Sequence, residues 1–351
     1  MSGSLSGPAT ALLALPAAVY GAAVRIRNAW FDRANAPRAA ALPVISVGNL
    51  AVGGTGKTPL VAWIAARLLA AGQRPAIVSR GYRGTAGSGP LLVSTGSGPR
   101  VDARACGDEP FLLARRLPGV VVIVGADRIE GVRAAAAAGA TVAVLLDDAF
   151  QHRRIARNLD LVVLDARAPF GNGRLLPAGI LREPPASLAR ADLVVLTRLD
   201  ADDRADSSVA AVRAAGFSGP VVRAGHRLAG FFDEGGRPAG TPAEAFGFCG
   251  IGDPELFRSD LARAAVRLSG FESFPDHHAY TRATWERLVA RAGSVPLVTT
   301  EKDLARLAAL AGRADAPHGL LALRIEAAVW DEAALLEALG LGTARVPHGS
   351  P

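Results

Sequence analysis

The run Ala51-Val-Gly-Gly-Thr-Gly-Lys-Thr58 limits the folds open to this chain more than any other stretch. It matches the phosphate-binding loop pattern of a small residue, four variable residues and Gly-Lys-Ser/Thr, with Ala51 where glycine is usual. Such a loop works only where a strand delivers it and a helix leaves it. Val44 to Val47 reads as a buried strand, and Pro59 to Ala71 reads as a helix with Leu60, Ile64 and Leu68 on one face. Pro59 lies near the helix start, where its missing N–H costs little. The unit therefore calls for an α/β fold with a parallel sheet. In that setting the nucleotide site is Ala51, Val52, Gly53, Gly54, Thr55, Gly56, Lys57 and Thr58. The backbone N–H groups of Gly53 to Lys57 cradle polyphosphate, Lys57 reaches the β- and γ-phosphates, and Thr58 ligates Mg²⁺. Of 39 strongly basic residues only Lys57 and Lys302 are lysines. A compact ammonium on a thin stem suits a phosphate channel where a planar guanidinium does not.

The 351 residues leave room for two domains. A net charge of +7 favours an anionic partner. Only 5% of residues are aromatic, and no basic run is interleaved with them, so stacking platforms for nucleic acid are lacking and a nucleotide or anionic lipid is expected. Cys106 and Cys249 have neither disulfide-framework nor zinc-site spacing. The first 24 residues carry no charge, Ala9 to Val24 is almost wholly apolar, and Arg25, Arg27, Arg33 and Arg38 follow. No basic residue precedes the apolar stretch as a secretory signal requires, and the stretch is short of a span and holds Pro16. Residues 1–38 are therefore expected to lie on an anionic membrane surface without crossing it, the alternative being a buried helix packed on the core.

Short apolar strands alternate with helical stretches from position 43 to about 222, the pattern of a parallel sheet covered on both faces. Expected strands are Val44 to Val47, Ala76 to Ser79, Val120 to Val124, Val142 to Leu146, Leu161 to Leu164 and Leu193 to Thr197. Thr85 to Pro99 reads as a loop or short hairpin, and Gly225 to Pro242 as the connection to a second, smaller α/β domain. The expected division is 1–38 membrane-associating, 39–224 P-loop domain, 225–342 second domain closing the cleft, and 343–351 a disordered tail.

Val142-Ala-Val-Leu-Leu146 followed by Asp147-Asp148 has the form of a Walker B strand, whose acid reaches Mg²⁺ beside the P-loop. Gly107-Asp-Glu-Pro110 places Asp108 and Glu109 before a helix; proton transfer and metal binding fit them, and so does N-capping by Asp108. Phe274-Pro-Asp-His-His278 offers two imidazoles in a turn. Arg80 and Arg83 in Ser79-Arg-Gly-Tyr-Arg-Gly84 suit an anion. Thr299-Thr-Glu-Lys-Asp303 holds Lys302 between two acids, which suggests an ion pair or ligand role. Thr197-Arg-Leu-Asp200 is a faint match to the guanine-reading string of GTPases, but Arg198 replaces its lysine. The Asp-x-x-Gly that a GTPase wants after the Walker B strand is missing too.

Taken in order, SVGNLAVGGTGKTP, SRGYRG, GDEP, GADR, LLDDAFQH, FGNGRLLPAGILREP, PDHH and TEKD resemble the tetraacyldisaccharide 4'-kinase family of lipid A biosynthesis over nearly the whole chain. The resemblance implies ATP- and Mg²⁺-dependent phosphorylation of the 4'-hydroxyl of a tetraacyldisaccharide 1-phosphate at the cytoplasmic face of the bacterial inner membrane; the protein is expected to be a monomer. It implies Asp108 as catalytic base, His277 as its partner, and Glu109, Asp147 and Asp148 as the acids around the metal. Arg80, Arg83, Arg128, Asn172 and Arg174 are candidates for the lipid's phosphate. Ala149 stands where many members carry glycine.

Overall fold

The computed structural model describes residues 13–34, 37–81, 84, 87, 89–308, 310 and 316–341. Residues 1–12, the tail expected at 343–351 and Arg83 lie outside them. Strands Val44–Gly48 (β1), Ala76–Ser79 (β2), Leu91–Ser94 (β3), Val121–Val124 (β4), Val144–Asp147 (β5), Leu159–Asp165 (β6) and Leu193–Thr197 (β7) form the first half of the sheet. Val221–Asp233 (β8), Pro238–Ala239 (β9), Glu244–Cys249 (β10), Arg267–Ser273 (β11), Leu297–Thr300 (β12) and Leu320–Val329 (β13) follow. They join in one sheet ordered β11-β10-β12-β13-β8-β7-β6-β1-β5-β2-β4-β3, with β9 beside β8. Pairing is parallel except for β3 with β4, β13 with β8 and β9 with β8.

β1 lies between β5 and β6 and is buried along its whole length, so both its faces can be apolar. The helix Lys57–Ala70 buries Leu60, Val61, Ile64, Ala65 and Leu68, at the 3.6-residue repeat, against Ile45, Val47, Ile77 and Leu145. Separate apolar clusters around Leu164 and Leu196 and around Val144 and Leu146 belong to neighbouring side-chain sets.

The stretch expected as a connection holds the second half of β8. This strand runs parallel to β7 through Val221, Val222 and Arg223, then antiparallel to β13 from Ala224 to Asp233. Its glycines and polar side chains hid it: Gly230 adopts φ +99° beside a register shift at Arg324/Ile325. The stretch expected as a loop or short hairpin holds β3, which pairs antiparallel with β4 and lacks a hairpin partner within that stretch among the described residues.

The helix Ala14–Ala34 tolerates Pro16 because it falls in the first turn. It is fastened by Tyr20, whose hydroxyl donates to the Arg182 carbonyl (3.0 Å), and by Asn28, which donates to Glu183 (2.9 Å). Leu15, Val19, Ile26 and Trp30 remain exposed, from 51% to 74%. No helix among the described residues is long and apolar enough to cross a membrane.

Candidate active site

The P-loop leaves β1 and enters its helix through Gly56, which holds φ +78° at the N-cap; Gly53 sits at +110°. Side chains would be strained at both positions. Two of the loop's carbonyls are fastened: Thr197 Oγ1 donates to the Thr55 carbonyl (2.8 Å) and Arg198 Nη2 to that of Gly54 (2.6 Å). Val52 N donates to the Ile180 carbonyl (2.8 Å). With the Gly54 and Thr55 carbonyls engaged, the N–H groups of Gly53 to Lys57 suit an anion. Arg198 also pairs with Asp253 at 2.9 Å, so the residue in the guanine-reading position is an intramolecular tether.

Asp147 ends β5 and is 2% exposed. Burial, then the charge of Glu109, pushes its carboxyl up to about 7 against the pull of Lys57. Its Oδ1 is buried without a hydrogen-bond partner. Asp148, at φ +51°, turns away to Lys57 Nζ (3.3 Å) and Arg182 Nη1 (2.9 Å). Burial raises its pKa, but those two cations more than offset it and hold the group below the carboxylate range.

Gly107 takes the N-cap of the helix Asp108–Arg116, so Asp108 is its first residue and its Oδ1 accepts the Glu109 N–H at 2.9 Å. This helix packs against the helix Glu301–Ala308 of the second half of the sheet. That contact meets two acids with two cations. Lys302 pairs with Glu109. Arg306, one turn on, sets Nε at 2.9 Å and Nη2 at 2.5 Å from Asp108 Oδ2. His277, held at φ +59° with its N–H on the Gly250 carbonyl (3.0 Å), brings Nδ1 to 3.2 Å from the same oxygen. Although burial raises the Asp108 pKa, the His277 hydrogen bond and the charges of Arg306 and Lys302 carry it well below the usual range. Glu109 feels both Lys302 and Lys57, and Asp147 feels Glu109, so the P-loop and the acid pair share one electrostatic neighbourhood.

Lys302→Met is expected to destabilise the fold by about 1–2 kcal/mol, less than the loss of one partner from a fully buried pair, because a third of each side chain is exposed. The urea midpoint measures it.

The structure divides the four expected metal positions. Glu109 is engaged by Lys302, Asp148 by Lys57 and Arg182, while Asp147 keeps an unpartnered oxygen and Thr58 is buried at the helix start. Among the described residues no group of three or more His, Cys, Asp or Glu side chains forms a metal cage. Of the candidates for the lipid's phosphate, Arg80 is exposed at the end of β2, and Arg128 is 3% exposed with Nε unpartnered. Asn172 is occupied within its loop, donating to the Ala178 carbonyl (2.9 Å) and accepting from Arg174 N (3.1 Å); Arg174 is exposed. His278 stacks on Phe274 with ring centroids 4.5 Å apart, apart from the pair made by its neighbour.

Arg306 escaped sequence reading, and Asp303, noted there as an acid flanking Lys302, turns out to support Arg306 instead. Asp303, fully buried, accepts from Arg306 Nη1 (2.8 Å), Tyr280 (2.9 Å), Thr300 (2.6 Å) and Gly250 N (3.0 Å). The one available signal was the four-residue spacing from Lys302.

A glycine-rich loop of the phosphate-binding pattern fed by a central parallel strand, with a strand-end acid and an Asp–Glu pair in the same electrostatic neighbourhood, fits the phosphotransferase class. The family model of LpxK, tetraacyldisaccharide-1-P 4'-kinase, matches residues 9–341. The chain is 43% identical over 348 residues to a tetraacyldisaccharide 4'-kinase of Anaeromyxobacter dehalogenans, covering 96% of this chain and 91% of that protein. It is 40% identical over 316 residues to the one of Chlorobium limicola, covering 86% and 88%. A crystal structure of LpxK from Aquifex aeolicus in complex with ATP superimposes with a TM-score of 0.77 at 30% identity, over 94% of this chain and 98% of that one. The chain belongs to the tetraacyldisaccharide-1-P 4'-kinase family.

Proposed function

We propose that the protein transfers the γ-phosphoryl group of ATP to the 4'-hydroxyl of a tetraacyldisaccharide 1-phosphate, forming lipid IVA in lipid A biosynthesis. The observation that carries the reading is the Asp108–His277 pair, with 3.2 Å between Nδ1 and Oδ2, in the same charge neighbourhood as the P-loop of a chain of this family. Asp108 accepts the sugar hydroxyl's proton as the oxygen attacks, and His277 orients the carboxylate. Lys57 and the P-loop N–H groups bind the polyphosphate and stabilise charge on the transferring group. Asp147, through its unpartnered Oδ1, and Thr58 suit a hard cation with oxygen ligands, and both would hold Mg²⁺. When bound, Mg²⁺ supplies charge neutralisation at the phosphates. Glu109 gives Oε1 to Lys302, which leaves Oε2 as the atom that would join that set.

The test is transfer of labelled γ-phosphate to the lipid in detergent micelles with Mg²⁺. ATP turnover that is indifferent to the lipid would replace this reading with a membrane-associated ATPase.

The proposed site of action is the cytoplasmic face of the inner membrane, with the protein peripheral and monomeric. Leu15, Val19, Ile26 and Trp30 form the apolar face, and the exposed Arg25 and Arg33 are suited to headgroup phosphates. Replacing both Ile26 and Trp30 by Glu is expected to weaken co-sedimentation with anionic vesicles roughly tenfold or more, since each side chain contributes about 1.5–3 kcal/mol when buried. Unchanged sedimentation would remove the helix from the membrane contact.

A further inference from the structure

We propose that Arg306 is a positioning residue for phosphoryl transfer: its guanidinium clamps Oδ2 of Asp108, so that Oδ1 is the oxygen presented to the acceptor hydroxyl. The proposal rests on the reading of Asp108 as proton acceptor.

Carboxylate Oδ2 of Asp108 is crowded, with Arg306 Nε at 2.9 Å, Arg306 Nη2 at 2.5 Å and His277 Nδ1 at 3.2 Å. A carboxylate oxygen has two in-plane acceptor directions, and three donors already converge on this one. Oδ1 accepts only one hydrogen bond among the described contacts, the backbone N–H of Glu109 at 2.9 Å. One acceptor direction therefore stays open there, at the end of a helix that carries no side-chain cap. A hydroxyl seeking a proton acceptor finds it on Oδ1.

The clamp is itself held rigidly. Arg306 Nη1 donates to Asp303 Oδ1 (2.8 Å) and to the Gly250 carbonyl (2.7 Å), and its side chain is 10% exposed. Asp303 is fixed in turn by Tyr280, Thr300 and Gly250 N. This depth of support is what a group needs if it is to set the rotation of another side chain. Arginine is also the cation whose fork can grip two acids at fixed angles, which lysine cannot do.

The test is a double-mutant cycle on the full chain with ATP, Mg²⁺ and the tetraacyldisaccharide 1-phosphate. Arg306→Lys keeps the charge and loses the fork. It is expected to lower kcat roughly 10- to 100-fold while KM for ATP and for lipid stays within about threefold, the pattern of a misaligned reacting group. In the Asp108→Asn background the same change is expected to cost nothing further, because the clamp acts only through that carboxylate. Wild-type kcat in Arg306→Lys, or losses that multiply in the double variant, would overturn the clamp. Should Arg306→Lys not accumulate as folded protein, the cycle is run with Thr300→Val. That variant loosens Asp303 and leaves Arg306 in place; a kcat loss that vanishes in the Asp108→Asn background is expected, and no loss or an additive one overturns the proposal. A slow Asp108→Asn beside a full-speed Arg306→Lys sinks the clamp alone. Full-speed Asp108→Asn sinks the proton-acceptor reading itself.

Discussion

Asp108→Asn is expected to lower kcat by about 10³-fold, within the range of general-base contributions, while KM for ATP changes little. The amide is nearly isosteric but cannot take a proton. Its amide oxygen still accepts hydrogen bonds, whereas its NH₂ faces donors wherever it points. Arg306, His277 and the Glu109 N–H all present hydrogens to this carboxylate. Steady-state kinetics with saturating lipid, together with ATP binding by calorimetry, separate the two effects. A parallel loss of ATP affinity would mark Asp108 as part of the nucleotide or metal site instead.

Lys57→Ala is expected to cost roughly 10²- to 10³-fold in kcat, as for loss of one preorganised donor to transition-state charge. The structure adds a second cost. Lys57 is one of two cations on Asp148, and its charge also opposes ionisation-unfavourable burial at Asp147. Lys57→Arg tests shape separately: the charge survives, yet the planar fork needs room beside Asp148 and Arg182 that the thin lysine stem does not. Turnover near wild type in Lys57→Arg would show that charge alone suffices at this position.

Legibility in the sequence followed the range of the physical signal. β2 and β7 are apolar runs bounded by turn residues, and their limits fall where the local pattern places them. β8 carries glycines and polar side chains, and β3 is a short apolar run set within a Gly/Ser-rich stretch; β13 and β4, far along the chain, offer the hydrogen-bond partners that make them strands. The same rule governs the site. Lys57, Asp108, Asp147 and His277 stand in compact motifs whose residue types are chemically unusual for a turn or strand end. Arg306 is one arginine among dozens, and the carboxylate that gives it meaning lies 198 positions away. Lys302 was conspicuous for its rarity, but only the helix contact showed that Glu109 is its partner.

Gly250 carries a consequence beyond its hydrogen bonds. Its carbonyl takes both the His277 N–H and Arg306 Nη1, so the two side chains that hold Asp108 are surveyed from a single benchmark. If the end of β10 shifts, both partners shift in step, and the angle between them survives a displacement that would scramble independently mounted groups. Tolerance to breathing of the second half of the sheet is thus designed into the mounting. A methyl group there would meet His278 Cβ at 3.0 Å and Asp303 Oδ1 at 3.2 Å, so the neighbour of His277 and the carboxylate that steadies Arg306 would both have to give by a few tenths of an ångström.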